Sequence, residues 1–265
     1  MRYTFFTKYS SIKKEELYTK YTKLLNEYGK GLFTKDDDNP EYVFSFGGDG
    51  TMLSAIHEYM FKDDKIKFVG IKMGNLGFFT DYEVDEFKYL IESIINNNYK
   101  ENKYHVLKYI LKNDKKDEIG FAINEITLIN PIHTQIIDVY IDNNKFETFR
   151  GTGLLICPPT GSTAYNKSLG GTILDPKVEA FQLTEIAALN NTIYKSINSS
   201  LVLNKNSVLT LITNDSNNIY VSVDGKEHQF NNIKQIQITL SDDFVNIISK
   251  KDTIFWKRVE KAFIK

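Results

Sequence analysis

Apolar positions follow two different rhythms along this chain, and the change between them falls near Tyr99. Before it, short β-branched and aromatic runs alternate with stretches whose apolar residues recur every three or four positions. Arg2 to Thr7, Tyr42 to Phe46 and Lys67 to Ile71 read as buried strands. Ile12, Leu17, Tyr21, Leu24, Leu25 and Tyr28 mark one side of a helix over 12–28. Met52, Leu53, Ile56 and Met60 mark a helix directly after the second strand. Val84, Phe87, Leu90, Ile91, Ile94 and Ile95 mark another over 83–97. Strand and helix in alternation are the signature of a parallel sheet with helices packed on it.

After Tyr99 the runs shorten and polar turns separate them. Residues 104–112, 119–129, 135–142, 145–150 and 153–157 read as successive strands, with a hairpin turn at Asp142-Asn-Asn-Lys145. A helical stretch is expected at 177–190, and strands again at 201–203, 207–213, 218–223 and 233–248. This half is mostly β, a sandwich or a rolled sheet. The amphipathic ending Phe255-Trp-Lys-Arg-Val-Glu-Lys-Ala-Phe263 is suited to packing back on the first half. The chain therefore divides into an α/β domain, 1–100, and a β-rich domain, 101–265, whose last segment, 250–265, returns to the first.

At 265 residues both domains have room for a core. The net charge of −1 gives no general attraction to nucleic acid or to membranes. No apolar run approaches the roughly 18 residues of a membrane span, and no signal segment opens the chain, so a cytoplasmic protein is expected. Cys157 is the one cysteine and lies in the apolar run 154–157, where it reads as a buried strand residue. Only Arg2, Arg150 and Arg258 among 33 basic residues are arginine, which makes each worth following.

Three stretches carry candidate chemistry. Gly47-Gly-Asp-Gly-Thr51 falls between the second strand and its helix. Glycines there leave the backbone N–H groups and the helix start bare, a concave site that favours anions such as phosphate. Gly47, Gly48, Gly50 and Thr51 are accordingly the candidate phosphate and ATP contacts. Asp49 would repel a bare phosphate, so it faces either a hydroxyl that must lose a proton or a metal ion bridging phosphates. The structural alternative is a helix N-cap. Asn124-Glu125 interrupts the apolar run 121–128, and one of the two should point inward. A buried carboxyl needs donors, which vicinal ribose hydroxyls supply, and an amide can read an adenine edge. Otherwise Glu125 marks a strand end in solvent. Pro158-Pro-Thr-Gly-Ser-Thr-Ala-Tyr-Asn166 places the hydroxyls of Thr160, Ser162 and Thr163 beside a glycine, with Tyr165 offering a ring for a base. A surface loop stiffened by prolines is the plainer reading.

Taken in order and at this spacing, these three stretches resemble NAD kinase, in particular the short forms of low-GC Gram-positive bacteria. Gly74-Asn-Leu-Gly77-Phe78, Leu183-Thr-Glu-Ile-Ala187, Val223-Asp-Gly225 and the Phe255-Trp-Lys-Arg-Val ending extend the resemblance over nearly the whole chain. It implies an α/β N-terminal domain with a Rossmann-like parallel sheet, a β-sandwich-like C-terminal domain, and a homotetramer or homodimer. It also implies transfer of the γ-phosphoryl of ATP to the 2′-hydroxyl of the adenosine ribose of NAD, with a divalent cation such as Mg2+ carried mainly by ATP. By matching motif, Asp49 would be the general base, with Gly50 close to the dinucleotide and Phe78 near the base. Asn124 and Glu125 would hold the adenosine. Ser162, Thr163, Ala164, Tyr165 and Ser168 would line the dinucleotide site. Arg150, Thr152 and Ala187 would contribute too, across a subunit interface.

One position departs from the pattern. Many close relatives have Gly-Asp-Gly after the arginine, and this chain has Gly151-Thr152-Gly153. Two other functions share part of the signal. A lipid or sugar kinase would share the glycine turn but leave 159–166 without a nucleotide role. A non-catalytic NAD-binding protein would have no use for Asp49.

Overall fold

The computed structural model describes the whole chain apart from residues 64, 75–76, 113–116, 214–218 and 229–232. Two compact units emerge, one comprising Met1–Tyr104 with Phe244–Lys265 and the other His105–Asp243.

Within the first unit the elements run β1 (Arg2–Phe6), α1 (Ser11–Tyr28), β2 (Thr34–Lys35), β3 (Tyr42–Gly47), α2 (Asp49–Tyr59), β4 (Lys67–Lys72), β5 (Tyr82–Glu83) and α3 (Phe87–Ile95). A single 3-10 turn, Val84–Glu86, leads into α3. β2, β1, β3 and β4 pair in that order, all parallel, and β5 adds to β4. Parallel pairing buries both faces, so β3 is buried continuously from Tyr42 to Phe46, Ser45 included, and does not alternate. On one face Phe44 and Phe46 meet Tyr21 of α1 and Phe87 of α3, and all four rings are buried. On the other, Met52 of α2 reaches Gly70 of β4, where a Cβ would also strike the backbone of Phe79 and Thr80.

The chain passes into the second unit along β6 (Lys100–Lys112), continues through β7 (Glu118–Ala122), β8 (Ile126–Ile129), β9 (Gln135–Ile141), β10 (Asn144–Gly151) and β11 (Gly153–Cys157), and returns to the first unit at Phe244. A short 3-10 turn over 159–163 and α4 (Tyr165–Ser168) follow. Then come β12 (Ala180–Ile186), β13 (Leu201–Asn204), β14 (Leu209–Thr213), β15 (Tyr220–Val223), β16 (Lys226–His228) and β17 (Gln235–Ser249), with α5 (Phe255–Phe263) ending the chain. One antiparallel sheet is ordered β13-β12-β11-β8-β15-β16. β10, β9, β14 and the first part of β17 form another. Ile126, Leu154, Ile156 and Leu183 from the first sheet share one core with Val139, Phe149, Leu211 and Ile236 from the second. That is the expected β-rich sandwich. The β9–β10 hairpin turns through Asp142 and Asn143, both at positive φ, as a two-residue hairpin turn requires.

Two expectations from the sequence need correcting. The stretch 177–190 holds a strand, β12, in place of a helix. β12 lies between β11 and β13 with both faces covered, and its polar Gln182 and Thr184 are buried on hydrogen bonds to the 166–172 loop. The stretch 119–129 is two strands, because the chain between them, 123–125, bonds elsewhere. Asn75 and Leu76 of the 74–77 turn, and the first residue expected in the 218–223 strand, lie outside the described residues.

Candidate active site

The glycine turn sits where β3 hands over to α2. Gly48 is the N-cap and Asp49 the first helical residue, so Asp49 does not cap the helix. Its carboxyl instead reaches the loop after β4. Oδ2 accepts the Phe78 N–H at 2.8 Å and Oδ1 accepts the Phe79 N–H at 3.0 Å. A Cβ on Gly77 would overlap this carboxyl, and one on Gly47 would overlap the Thr51 side chain, which fixes glycine at both positions by close approach. Among the described residues, nothing stands within 4 Å of the places a Cβ would take on Gly48 and Gly50. None of those residues covers the N-terminus of α2 on that side. Burial raises the Asp49 carboxyl above its ordinary range, opposed by the two N–H groups and by Arg258. The result is an oriented carboxyl, next to a helix N-terminus, that holds a proton more readily than an exposed aspartate does.

Phe78 places its ring against Phe263 at 5.9 Å and Phe255 at 6.2 Å, both on α5. Arg258 on the same helix donates to the Phe78 carbonyl and pairs with Asp81.

In the second unit three motifs meet. The N–H groups of Ile123, Asn124 and Glu125 all turn to the Asp224 carboxylate, at 2.9, 2.6 and 3.1 Å. Asp224 returns its own N–H to the Glu125 carbonyl. From the opposite side the Thr160 hydroxyl donates to the Ile123 carbonyl, and Gly161 lies so close to Asn124 that a Cβ would overlap its carbonyl. The Asn124-Glu125 turn is thus clamped between Val223-Asp-Gly225 and the Pro158–Asn166 loop. Its side chains are not used up: Asn124 Oδ1 and Glu125 Oε2 are buried acceptors with no partner among the described residues. Burial and the nearby Asp224 carboxylate push the Glu125 carboxyl up to about 7.

Along the loop, several groups serve the loop itself. Ser162 donates to the Pro159 carbonyl and accepts the Leu174 N–H. Thr163 reaches the Thr160 carbonyl, and Asn166 accepts from Thr184 while its amide donates to the Ser162 and Thr172 carbonyls. Ala164 is half-buried and Ser168 exposed. Tyr165, opening α4, is 43% exposed and offers its ring for stacking. Cys157, ending β11, is fully buried.

Sequence models of the ATP-NAD kinase N-terminal domain and C-terminal domain match residues 7–99 and 123–249. An NAD kinase of Streptococcus pyogenes is 41% identical over 228 residues, 85% of this chain and 82% of that protein. The chain belongs to the NAD kinase family. Two solved structures share its fold at 21% identity. The NAD kinase of Archaeoglobus fulgidus, solved in complex with ATP, covers 99% of this chain and 97% of its own at a TM-score of 0.73. The yeast NADH kinase, complexed with NADH, covers 88% and 71% at a TM-score of 0.76.

Arg150, Thr152 and Ala187, expected to contribute across a subunit interface, lie away from the Asn124-Glu125 turn. The Thr152 N–H donates to the Ile186 carbonyl at 3.0 Å, and the Leu189 N–H to the Arg150 carbonyl at 2.7 Å, so the three belong together. But Thr152 stands five residues before Cys157, the last residue of β11, and at ~3.4 Å per residue the two are about 17 Å apart. The register of β11 against β8 puts Gly153 opposite Ile129 and Ile156 opposite Ile126, so Glu125 lies beyond the far end. The structure does not bring these three residues to the Asn124-Glu125 turn within one chain. Arg150 lies against the Tyr194 ring, with the exposed Ile136, Leu189, Ile193 and Ile197 carried by the same and neighbouring strands and loops. Asp224 and Arg258 are the site neighbours that residue spacing left without a role. Their signals were the carboxylate of Val223-Asp-Gly225 and the scarcity of arginine.

Proposed function

We propose that this NAD kinase moves the γ-phosphoryl of ATP to the 2′-hydroxyl of the adenosine ribose of NAD, with Asp49 as the general base. The observation that carries the reading is the Asp49 carboxyl, locked by two backbone N–H groups beside the bare N-terminus of α2. A ribose hydroxyl is a poor nucleophile near neutral pH until a base takes its proton, and phosphoryl transfer otherwise depends on positioning and charge. Gly47, Gly48, Gly50 and Thr51 supply the backbone donors and dipole end for phosphate. Asn124 and Glu125 hold the adenosine: their orphaned acceptors call for donors, and ribose hydroxyls and the adenine amine are donors. Tyr165 stacks on the base, and Thr163, Ala164 and Ser168 line the same stretch. Ser162 shapes the loop, because its hydroxyl is spent internally. Phe78 contributes with the part of its ring that α5 leaves open.

A divalent cation would supply charge neutralisation on the transferred phosphates. The described residues contain no group of three or more His, Cys, Asp or Glu able to hold one. Both Asp49 oxygens are already accepting N–H groups. The cation therefore enters as part of the substrate MgATP. Arg150, Thr152 and Ala187 reach a dinucleotide through a second copy of the chain, in a homodimer or homotetramer. The separation along β11 and the exposed apolar side chains around Arg150 support that arrangement.

Incubating the purified protein with NAD, ATP and magnesium and following NADP tests the activity. Absence of NADP from a folded sample would sink it. Light scattering at assay concentration tests the assembly, and a fully active monomer would defeat it.

A further inference from the structure

Besides its glycine turn, Asp49 depends on a segment far away in sequence. The peptide joining Phe78 to Phe79 is one rigid planar unit. Its N–H donates to Asp49 Oδ1 at 3.0 Å, and its C=O accepts from Arg258 Nη1 on α5. The three groups form a line: guanidinium, peptide, carboxylate. Donation into the carbonyl polarises the peptide and makes its N–H a stronger donor at the other end. The neighbouring Phe78 N–H completes a two-point hold on the carboxylate.

Arg258 is itself held in place. Its Nη2 pairs with Asp81, which accepts from the Thr253 hydroxyl at 3.1 Å, and the Arg258 and Asp81 side chains are only 14% and 12% exposed. Phe255, three residues before Arg258 on α5, and Phe263, five residues after it, pack against the Phe78 ring. The helix therefore grips the 77–81 loop by an ion pair, a carbonyl and two rings. A loop needing only an anchor would be served by the rings and the ion pair. The extra bond to the Phe78 carbonyl bears on Asp49.

We propose that Arg258 is a positioning residue for phosphoryl transfer, holding the Asp49 carboxylate in its proton-accepting geometry through the Phe78–Phe79 peptide. This rests on Asp49 being the base. Of the described charged groups, Arg258 on α5 is the one that acts on the Asp49 carboxyl, with Asp81 facing Arg258 from the loop. The N-terminal dipole of α2 acts equally in every variant described below. Signs follow directly. Removing the guanidinium leaves burial less opposed, so Asp49 takes a proton at higher pH. Removing the Asp81 charge leaves Arg258 uncompensated, so Asp49 stays ionised to lower pH.

The test is the pH dependence of kcat/KM for NAD under saturating MgATP, from about pH 5 to 9. It compares the parent with Arg258→Gln, Arg258→Lys, Asp81→Asn and Asp49→Asn. Arg258→Gln should lower kcat about tenfold or more near neutrality and move the acid limb up by about one pH unit, with KM for NAD within about threefold. Arg258→Lys should restore part of the limb's position. Asp81→Asn should move the limb the other way. A purely structural Arg258 would lose stability or rate without moving the limb, and that outcome, or shifts of one sign in both Arg258→Gln and Asp81→Asn, overturns the proposal. Should Arg258→Gln fail to fold, Asp81→Asn decides alone: a downward limb supports the proposal, and an unmoved or raised one ends it. Asp49→Asn separates the two layers. If it keeps more than about a tenth of the rate, the base assignment has failed. If it is inactive while the other limbs stay put, only the role of Arg258 has.

Discussion

Asp49 and Glu125 are both partly buried carboxyls, each at a turn that ends a strand, and the two are prepared in opposite ways. At Asp49 the backbone donors come to the side chain: the Phe78 and Phe79 N–H groups fix its oxygens, and Arg258 stands behind them. At Glu125 the donors go elsewhere. The N–H groups of 123–125 are taken by Asp224, whose charge then bears on the Glu125 carboxyl and leaves its Oε2 without a partner. The first carboxyl is oriented, and its two N–H donors and Arg258 oppose the rise that burial imposes on it. The second is biased toward holding a proton until a ligand brings donors. A shared residue class thus serves two ends, and the destination of a few backbone N–H groups decides which.

The largest test removes the reacting carboxyl. Asp49→Asn should keep the fold and NAD binding while kcat falls roughly 10²–10⁴-fold, because an amide cannot take the hydroxyl proton. Calorimetry and steady-state kinetics on one preparation would check both halves. Next comes the clamp on the other turn. Asp224→Asn replaces a charged acceptor with a neutral amide against three N–H groups, and should cost about 2–3 kcal/mol of stability by urea unfolding. Its KM for NAD should rise far more than its kcat falls, and equal losses in both would put Asp224 in the chemistry.

A third test sharpens the contrast in protonation. Glu125 has a folded-state value of about 7 against 4.5 for the ordinary carboxyl, so the folded protein keeps a proton that the unfolded chain has released between those values. Folding stability is therefore fully supported below the lower value and declines as pH rises through about 7, by about 3 kcal/mol at most. Glu125→Gln should flatten that decline. Glu147, also raised to about 7 by burial and then by Glu185, adds its slope to parent and variant alike, so the difference between the two curves is the readout. Parallel curves would refute the assignment. The smallest effect is expected at Thr152, remote from the Asn124-Glu125 turn along β11. Thr152→Asp should change KM for NAD within about tenfold and kcat within about twofold, since it touches binding alone. A collapse of kcat at constant KM would place residue 152 at the chemistry.

Much of the fold was legible because local rules and tertiary contacts agree in it. β3, the glycine turn and α2 follow from composition and period, and the Asp142-Asn143 turn from its residue types. The failures occur where a distant partner decides. The 119–129 run looks like one strand because nothing near it in sequence announces that Asp224, about a hundred residues on, will take its N–H groups. β12 imitates an amphipathic helix because Gln182 and Thr184 are polar yet buried, satisfied by the Thr172 backbone and the Asn166 amide. The candidate residues show the same division. Asp49, Asn124 and Glu125 stand out by type and place. That Ser162 and Asn166 spend their polar groups on their own loop, or that Arg258 reaches the Phe78 carbonyl, depends on contacts no local pattern carries.

The single buried thiol has a practical consequence. Burial, and then Glu125, hold the Cys157 proton on well above the ordinary thiol range, and the side chain has no exposed surface. A maleimide dye would pass it by. One cysteine introduced on the exposed side of α5, for instance by Lys261→Cys, would then be the sole site of labelling. A fluorophore there would report, in real time and without altering the native background, whether that helix shifts when nucleotide is added.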